Sequence, residues 1–253
     1  MKVYQYPALR DNYNWIVVCE ETNQCAGIDI YDSKTFIDYI KNNNLNPVAI
    51  LNTHHHNDHT GGNLEIKKHF PYLLFYGSEY DMKNKRIDCQ THALIEGDNV
   101  NIGNIRFSIL DIPGHTLGHI AYYNQDSAFV GDTLFASGCG RLFEGNPEMM
   151  YHSLEKIIKT IGLSVPIYCG HEYTEANLNF SYSLNNNYFK SYLNKIKELR
   201  GQNRMTIPTN LETELIFNPF LMVMNNELKN EIGFSEYISL EAFAILRAKK
   251  DNF

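Results

Sequence analysis

The sequence predicts an α+β fold: two mixed sheets packed together with helices outside, followed by a mostly helical tail. Three observations carry this prediction. Short apolar runs divided by turn-rich segments recur from the first residues to about residue 172. Few helical patterns interrupt them. Beyond residue 172 the apolar spacing is helical almost throughout.

The elements follow in order. "YQY", "NWIVVC" and "CAGIDI" read as strands, divided by the turn-rich "RDNYN" and "EETNQ". Ser33 stands where a cap would open a helix carrying Phe36, Ile37 and Ile40. "PVAILNT" is a buried-type strand, "GNLEIKKHF" a helix and "YLLFYG" another strand. "IRFSILDI", "IAYYNQ" and "SAFVGD" give three more strands. Pro147 opens a helix over "PEMMYHSLEKIIKTIG", with glycine at its end, and "VPIYCG" is the last strand. "EYTEANLNFSYSL", "NYFKSYLNKIKELR" and "SLEAFAILRAKKDNF" have helical spacing. "GQNRMTIPTNLETELIFNPF" is a linker between the second and the third. The change of character divides residues 1–172 from residues 173–253.

Composition narrows the function. The chain has 253 residues, 43% hydrophobic and 20% charged, ample for a buried core. A net charge of −7 without a dense Lys/Arg run argues against a nucleic-acid partner. No window nears eighteen uninterrupted apolar residues, so no membrane-spanning helix is expected. "MKVYQYPALRDNYN" lacks the features of a secretory signal. Cys19, Cys25, Cys89, Cys139 and Cys169 are scattered, with no CxxC pair. They fit small buried hydrophobes in a reducing compartment, so the cytoplasm is the expected location. A monomer is also expected.

The chemistry concentrates at strand ends. "VAILNT" leads into His54, His56, Asp58 and His59; "FSILDIPG" into His115; "SAFVG" into Asp132; and "PIYCG" into His171. Loops leaving one end of packed sheets are where a scaffold can converge side chains. In an extended segment His54 and His56 point to the same side, while His55 points away. Seven nitrogen and oxygen donors suit two ions, with three groups each and one shared carboxylate. Taken singly, His115 could be a turn histidine, Asp132 a turn cap and His171 a helix cap. Their recurrence after four strands favours metal binding. His69, His92 and His152 lack this context, and His119 is expected to pack beside the cluster. Asp29, after the strand "AGIDI", could orient a ligand histidine.

The motifs resemble those of glyoxalase II, the hydroxyacylglutathione hydrolases of the metallo-β-lactamase superfamily. The superfamily signature is "THHHNDH". The more specific segments are "PGHTLGHIAYY", "GDTLFASGCGRLFEG", "GHEYTEANLNF" and "NPF", so the resemblance spans nearly the whole chain. It implies a four-layer αββα sandwich over residues 1–172 and a helical, glutathione-binding domain over residues 173–253. It implies that His54, His56 and His115 hold one metal, that Asp58, His59 and His171 hold the other, and that Asp132 bridges both. Two divalent ions are implied; zinc is the usual assignment, and iron or manganese also suit the donor set. The implied substrate is S-D-lactoylglutathione, with glutathione contacts at Arg141, Tyr173, Arg247 and Lys250. Two positions depart from common members: Phe143 stands where some have tyrosine, and Ala244 where many have a second arginine.

Thioester hydrolysis fits such a site. Two cations sharing an oxygen make hydroxide available near neutral pH, held by Asp58 and Asp132 as the catalytic carboxylates. The thiolate leaving group needs no protein acid, since a thiol has a pKa of about 8.5. Taken without the resemblance, Arg247 and Lys250 would read as a solvated helix face, and Tyr173 as a core aromatic. The alternatives are another superfamily hydrolase, such as a lactonase, β-lactamase or persulfide dioxygenase, and a metal-binding protein without catalysis.

Overall fold

The computed structural model describes all 253 residues. Its contacts group them into two compact units. The first comprises Met1–Asp111, Gly118–Asn124 and Phe129–Gly131; the second comprises Ile112–Leu117, Gln125–Ala128 and Asp132–Phe253.

The first unit opens with β1 (Lys2–Ala8), β2 (Asn12–Val18) and β3 (Gln24–Ile28), joined antiparallel through tight turns. Helix α1 (Ser33–Asn42) follows and returns the chain to β4 (Asn46–Leu51), parallel to β3. Parallel neighbours need such a crossover. The short helices α2 (Asn57–Thr60) and α3 (Asn63–His69) then lead to β5 (Leu74–Ser78). Helix α4 (Glu79–Lys83) precedes β6 (His92–Leu94). The sheet order is β1-β2-β3-β4-β5-β6, parallel from β3 onward. Strands β7 (Asn99–Ile102), β8 (Ile105–Asp111), β9 (Ile120–Tyr123) and β10 (Ala128–Gly131) form a second layer in the order β10-β9-β8-β7.

Strand alternation explains the layers of this unit. On β2, Ile16 and Val18 point to one side and join Phe36, Ile37, Ile40, Ile66 and Phe75 in a core beneath α1 and α3. Trp15 points to the other side and meets Phe129 of β10 edge-on, at 6.2 Å between ring centres. Phe129 in turn meets Phe107 of β8 at 6.0 Å. Helix α1 is capped by Asp32, whose carboxylate accepts from the Thr35 amide at 3.0 Å. The cap expected at Ser33 thus lies one residue earlier, and Ser33 is already helical.

The second unit holds β11 (Leu134–Phe135) and β12 (Gly138–Cys139), a small hairpin. Helix α5 (Pro147–Thr160) opens with Asn146 accepting from the Met149 amide and Pro147 in the first turn. Strand β13 (Ile167–Cys169) precedes α6 (Thr174–Leu184) and α7 (Asn186–Gly201). The expected linker is partly helical. It contains α8 (Leu211–Phe217), capped by Asn210, and α9 (Pro219–Met222), capped by Asn218. Helices α10 (Leu228–Glu231) and α11 (Ser239–Asp251) complete the chain. Aromatic rings lock this unit: Phe180 stacks on Phe220, Phe220 meets Phe243, and Phe243 meets Tyr151 of α5. All five cysteines are free, and only Cys89 is not fully buried.

The first unit's core gives a stability prediction. Phe75 is fully buried in the cluster under α1. Phe75→Ala should lower unfolding free energy by about 3–5 kcal/mol, measured by urea titration. A loss under about 1 kcal/mol would contradict this packing.

Candidate metal centre

The first unit gathers its polar cluster at the carboxyl ends of two adjacent parallel strands. Register pairs Ile28 with Leu51, so Asp29 and Asn52–Thr53 leave β3 and β4 side by side. Loops leaving the carboxyl ends of neighbouring strands can converge polar side chains on one place. Asp29 takes a left-handed backbone (φ 50°), a conformation in which aspartate is enriched. Its Oδ1 accepts from the Thr53 amide at 2.8 Å, and its Oδ2 accepts from the Thr53 hydroxyl at 2.6 Å. The same Oδ2 lies 3.1 Å from Nδ1 of His59. The helix α2 then turns Asp58 and His59 back toward His54. The chain leaves α2 through Gly62, where a Cβ would sit 2.5 Å from the Ile30 carbonyl.

These contacts fix where the imidazole protons sit. His59 gives its Nδ1 proton to Asp29, which leaves Nε2 bare and 3.4 Å from Oδ2 of Asp58. Thr53 spends its hydroxyl proton on Asp29, so toward Nδ1 of His54 at 3.1 Å it can only accept. His54 therefore also presents a bare Nε2, and this nitrogen lies 3.1 Å from Nδ1 of His56. Asp58 is steadied by Asn12, whose side-chain amide donates to Oδ2 at 2.8 Å. His119 stacks on His54 at 4.7 Å with planes 16° apart.

The second unit repeats the device. His115 donates from Nδ1 to the Arg141 carbonyl at 2.7 Å and turns Nε2 toward Oδ2 of Asp132 at 3.4 Å. Nε2 of His171 lies 3.2 Å from the same oxygen. Gly140 makes the turn possible, since a Cβ there would run into the Asp132 carbonyl. All three side chains are buried. Tyr173 stacks on His171 at 4.6 Å, and Phe135 closes edge-on against both. Phe143 rests against His115 at 5.3 Å.

Bare ring nitrogens turned toward carboxylate oxygens in buried surroundings repel unless a cation lies among them. The donors are imidazole nitrogen and carboxylate oxygen with no thiolate, which fits a divalent metal. Asp29 is different. Its oxygens are engaged by Thr53 and His59, an arrangement that suits orienting the His59 ring.

The residues expected to meet glutathione lie in the second unit. Arg141 is exposed, its Nε 3.4 Å from Oδ1 of Asp251. Arg247 is buried rather than on a solvated helix face; it donates to the Cys139 carbonyl at 2.9 Å and to Asp251 at 3.0 Å. Lys250 lies over the rings of Phe180 and Phe253. Burial, with Arg247 nearby, pulls its ammonium down to about 8. His55 turns to other partners, its Nε2 2.6 Å from Arg86 and its Nδ1 3.7 Å from Asp81. Asn12 and Thr53 escaped the sequence reading, hidden in segments that read only as a turn and a strand end.

Residues 24–202 match the metallo-β-lactamase superfamily. Residues 172–253 match the hydroxyacylglutathione hydrolase C-terminus. ETHE1 from Myxococcus xanthus superposes with a TM-score of 0.69 at 21% identity, covering 100% of both chains. TTHA1623, solved in a di-iron-bound form, gives 0.64 at 22% identity, covering 87% of this chain and 100% of its own. These likenesses show the metallo-β-lactamase fold, the expected αββα architecture with a C-terminal helical region. A hydroxyacylglutathione hydrolase of Pectobacterium atrosepticum is 41% identical over 259 residues, covering 100% of both chains. The chain belongs to the hydroxyacylglutathione hydrolase family.

Removing the group that sets the His59 proton should show in metal affinity. Asp29→Asn should weaken zinc binding by about 10–100-fold in a competitive chelator titration, and unchanged affinity would refute the orienting role.

Proposed function

We propose that this protein hydrolyses S-(2-hydroxyacyl)glutathione thioesters, chiefly S-D-lactoylglutathione, to D-lactate and glutathione, in methylglyoxal detoxification. The observation that carries this is the set of imidazole nitrogens aimed at Asp58 and Asp132, those of His59 and His115 without a proton, in a chain whose full-length relatives are named hydroxyacylglutathione hydrolase. His54, His56 and His115 would hold one divalent ion and Asp58, His59 and His171 the other, with Asp132 shared. Zinc is the proposed metal; iron or manganese fits the same donors. Bound there, the pair supplies hydroxide near neutral pH and offsets negative charge developing on the carbonyl oxygen.

The chain's own residues do the rest. Asp29, Thr53 and the Arg141 carbonyl hold three imidazoles in one tautomer before any substrate arrives. Asn12 holds Asp58 in place. Asp132 is the catalytic carboxylate of the second unit, as Asp58 is of the first. The leaving thiolate departs without a protein acid, its parent thiol having a pKa of about 8.5. Arg141 and Lys250 offer positive charge to the carboxylates of glutathione despite the net −7. Arg247 supports that bed from below through Cys139 and Asp251. Tyr173, beside His171, offers a phenol to the peptide, while Phe143 offers only apolar contact.

Residues 1–172 are proposed as the catalytic part and 173–253 as the glutathione-binding part of a cytoplasmic monomer. No helix is long and apolar enough to cross a membrane. The rival is a lactonase of the same superfamily. Turnover of lactoylglutathione, with a lactone panel left intact, supports the thioesterase; hydrolysis of lactones alone would reject it. His56→Ala and Asp132→Ala should each reduce both bound metal and turnover by about 100-fold. Full activity in either variant would overturn the ligand assignment.

Lys250 adds a pH signature. With its ammonium near 8, it is charged below that pH and loses the charge above it. The KM for lactoylglutathione should therefore rise as pH climbs through about 8, and Lys250→Gln should start high and stay flat. Parallel profiles would exclude Lys250 from binding.

A further inference from the structure

Glu214 of α8 is fully buried, and its three hydrogen-bond donors are neutral. Oε2 accepts from the Ser137 amide at 2.7 Å and from the Asn218 side chain at 3.0 Å. Oε1 accepts from the Thr209 hydroxyl at 2.5 Å. The Asn218 amide also donates to the carbonyls of Phe135 at 3.2 Å and Gly138 at 2.9 Å. Its own Oδ1 caps α9 through the Phe220 amide. Glu214 and Asn218, one helical turn apart, thus grip three backbone points of the β11–β12 hairpin, at Phe135, Ser137 and Gly138, about 80 residues earlier in the chain. Ser137 at the hairpin's turn is left-handed (φ 57°), a conformation a serine holds only when its surroundings enforce it. Asn177 of α6 adds a bond to the Ala136 carbonyl.

The hairpin joins parts with assigned work. Asp132 lies just before β11, and Arg141 lies just after β12. Phe135 packs against His171 and Tyr173, and the Cys139 carbonyl receives Arg247. We propose that Glu214 is a positioning residue for substrate binding, pinning the hairpin turn with Asn218 so that Phe135, Cys139 and Arg141 present a fixed bed to the glutathione part. This rests on the thioesterase function proposed above.

The charge of Glu214 is not what the hairpin requires. Burial pushes its carboxyl up to about 7 against the pull of its three donors. Protonated on Oε1, the group still accepts twice on Oε2, while the Thr209 hydroxyl turns to accept. Glutamine reproduces this arrangement, its carbonyl facing Ser137 and Asn218 and its amide facing Thr209. Leucine fills similar space but strands the Ser137 amide in the interior, while the Asn218 amide keeps the Phe135 and Gly138 carbonyls.

The test compares full-length, metal-loaded wild type, Glu214→Gln and Glu214→Leu by hydrogen exchange over residues 134–141, metal content, and kcat and KM for lactoylglutathione. Glu214→Leu should speed exchange in that segment about 10-fold and raise KM about 10-fold at equal metal content, while Glu214→Gln stays within about 2-fold of wild type. Wild-type exchange in the leucine variant, or a glutamine variant as impaired as the leucine one, would overturn the proposal. If the leucine variant does not fold, Thr209→Val, which removes one donor, should speed exchange about 3-fold, and no change would overturn it. A wild type inert toward lactoylglutathione would sink the functional reading alone, because the exchange comparison needs no substrate.

Discussion

The placement of single protons on imidazole rings is the constraint that the rest of this structure serves. An imidazole binds a cation only through a nitrogen without a proton. His54, His59 and His115 each spend the Nδ1 proton on a fixed oxygen: the Thr53 hydroxyl, the Asp29 carboxylate and the Arg141 carbonyl. Each is then left with Nε2 bare beside another donor. A cation among these donors would relieve the repulsion between bare nitrogens and carboxylate oxygens, which would couple metal binding to the stability of the fold.

The scaffolding around these rings follows from that requirement. Parallel β3 and β4 bring Asp29 and Thr53 together at their carboxyl ends, so one carboxylate can fix two protons at once. Packed layers on both sides of β2 keep those strand ends still. In the second unit a small hairpin does comparable work for Asp132. Its turn is held by Glu214 of α8 and by Asn218, the cap of α9. Sites built this way depend on supporting residues whose loss alters precision before it abolishes function.

Much of this was legible in the sequence because it is local. Strands such as "NWIVVC" carry their burial in their own alternation, and "THHHNDH" after an apolar strand gathers its histidines within one short segment, though Asp29 and Thr53 set their rings. The unread parts are non-local or hidden by competing signals. The pairing of Glu214 with Ser137 spans 77 residues and leaves no periodic trace. Helices α8 and α9 lay in a segment that reads as a linker, although Asn210 and the Asn218–Pro219 pair are good start signals. Ser33 and Asp32 are both sound caps, and only the backbone decides between them. Arg247 looks solvated in a basic stretch, yet an ion pair with Asp251 and a backbone carbonyl make its burial tolerable.

The most direct measurement is long-range ¹H–¹⁵N correlation of the histidine rings in metal-stripped protein, followed by stepwise return of zinc. Three rings, assigned to His54, His59 and His115, should show the Nδ1-protonated tautomer before zinc is added. Their Nε2 signals should then move, with saturation at two equivalents per chain. Nε2-protonated rings in the stripped protein, or ring signals indifferent to zinc, would contradict the account at its base.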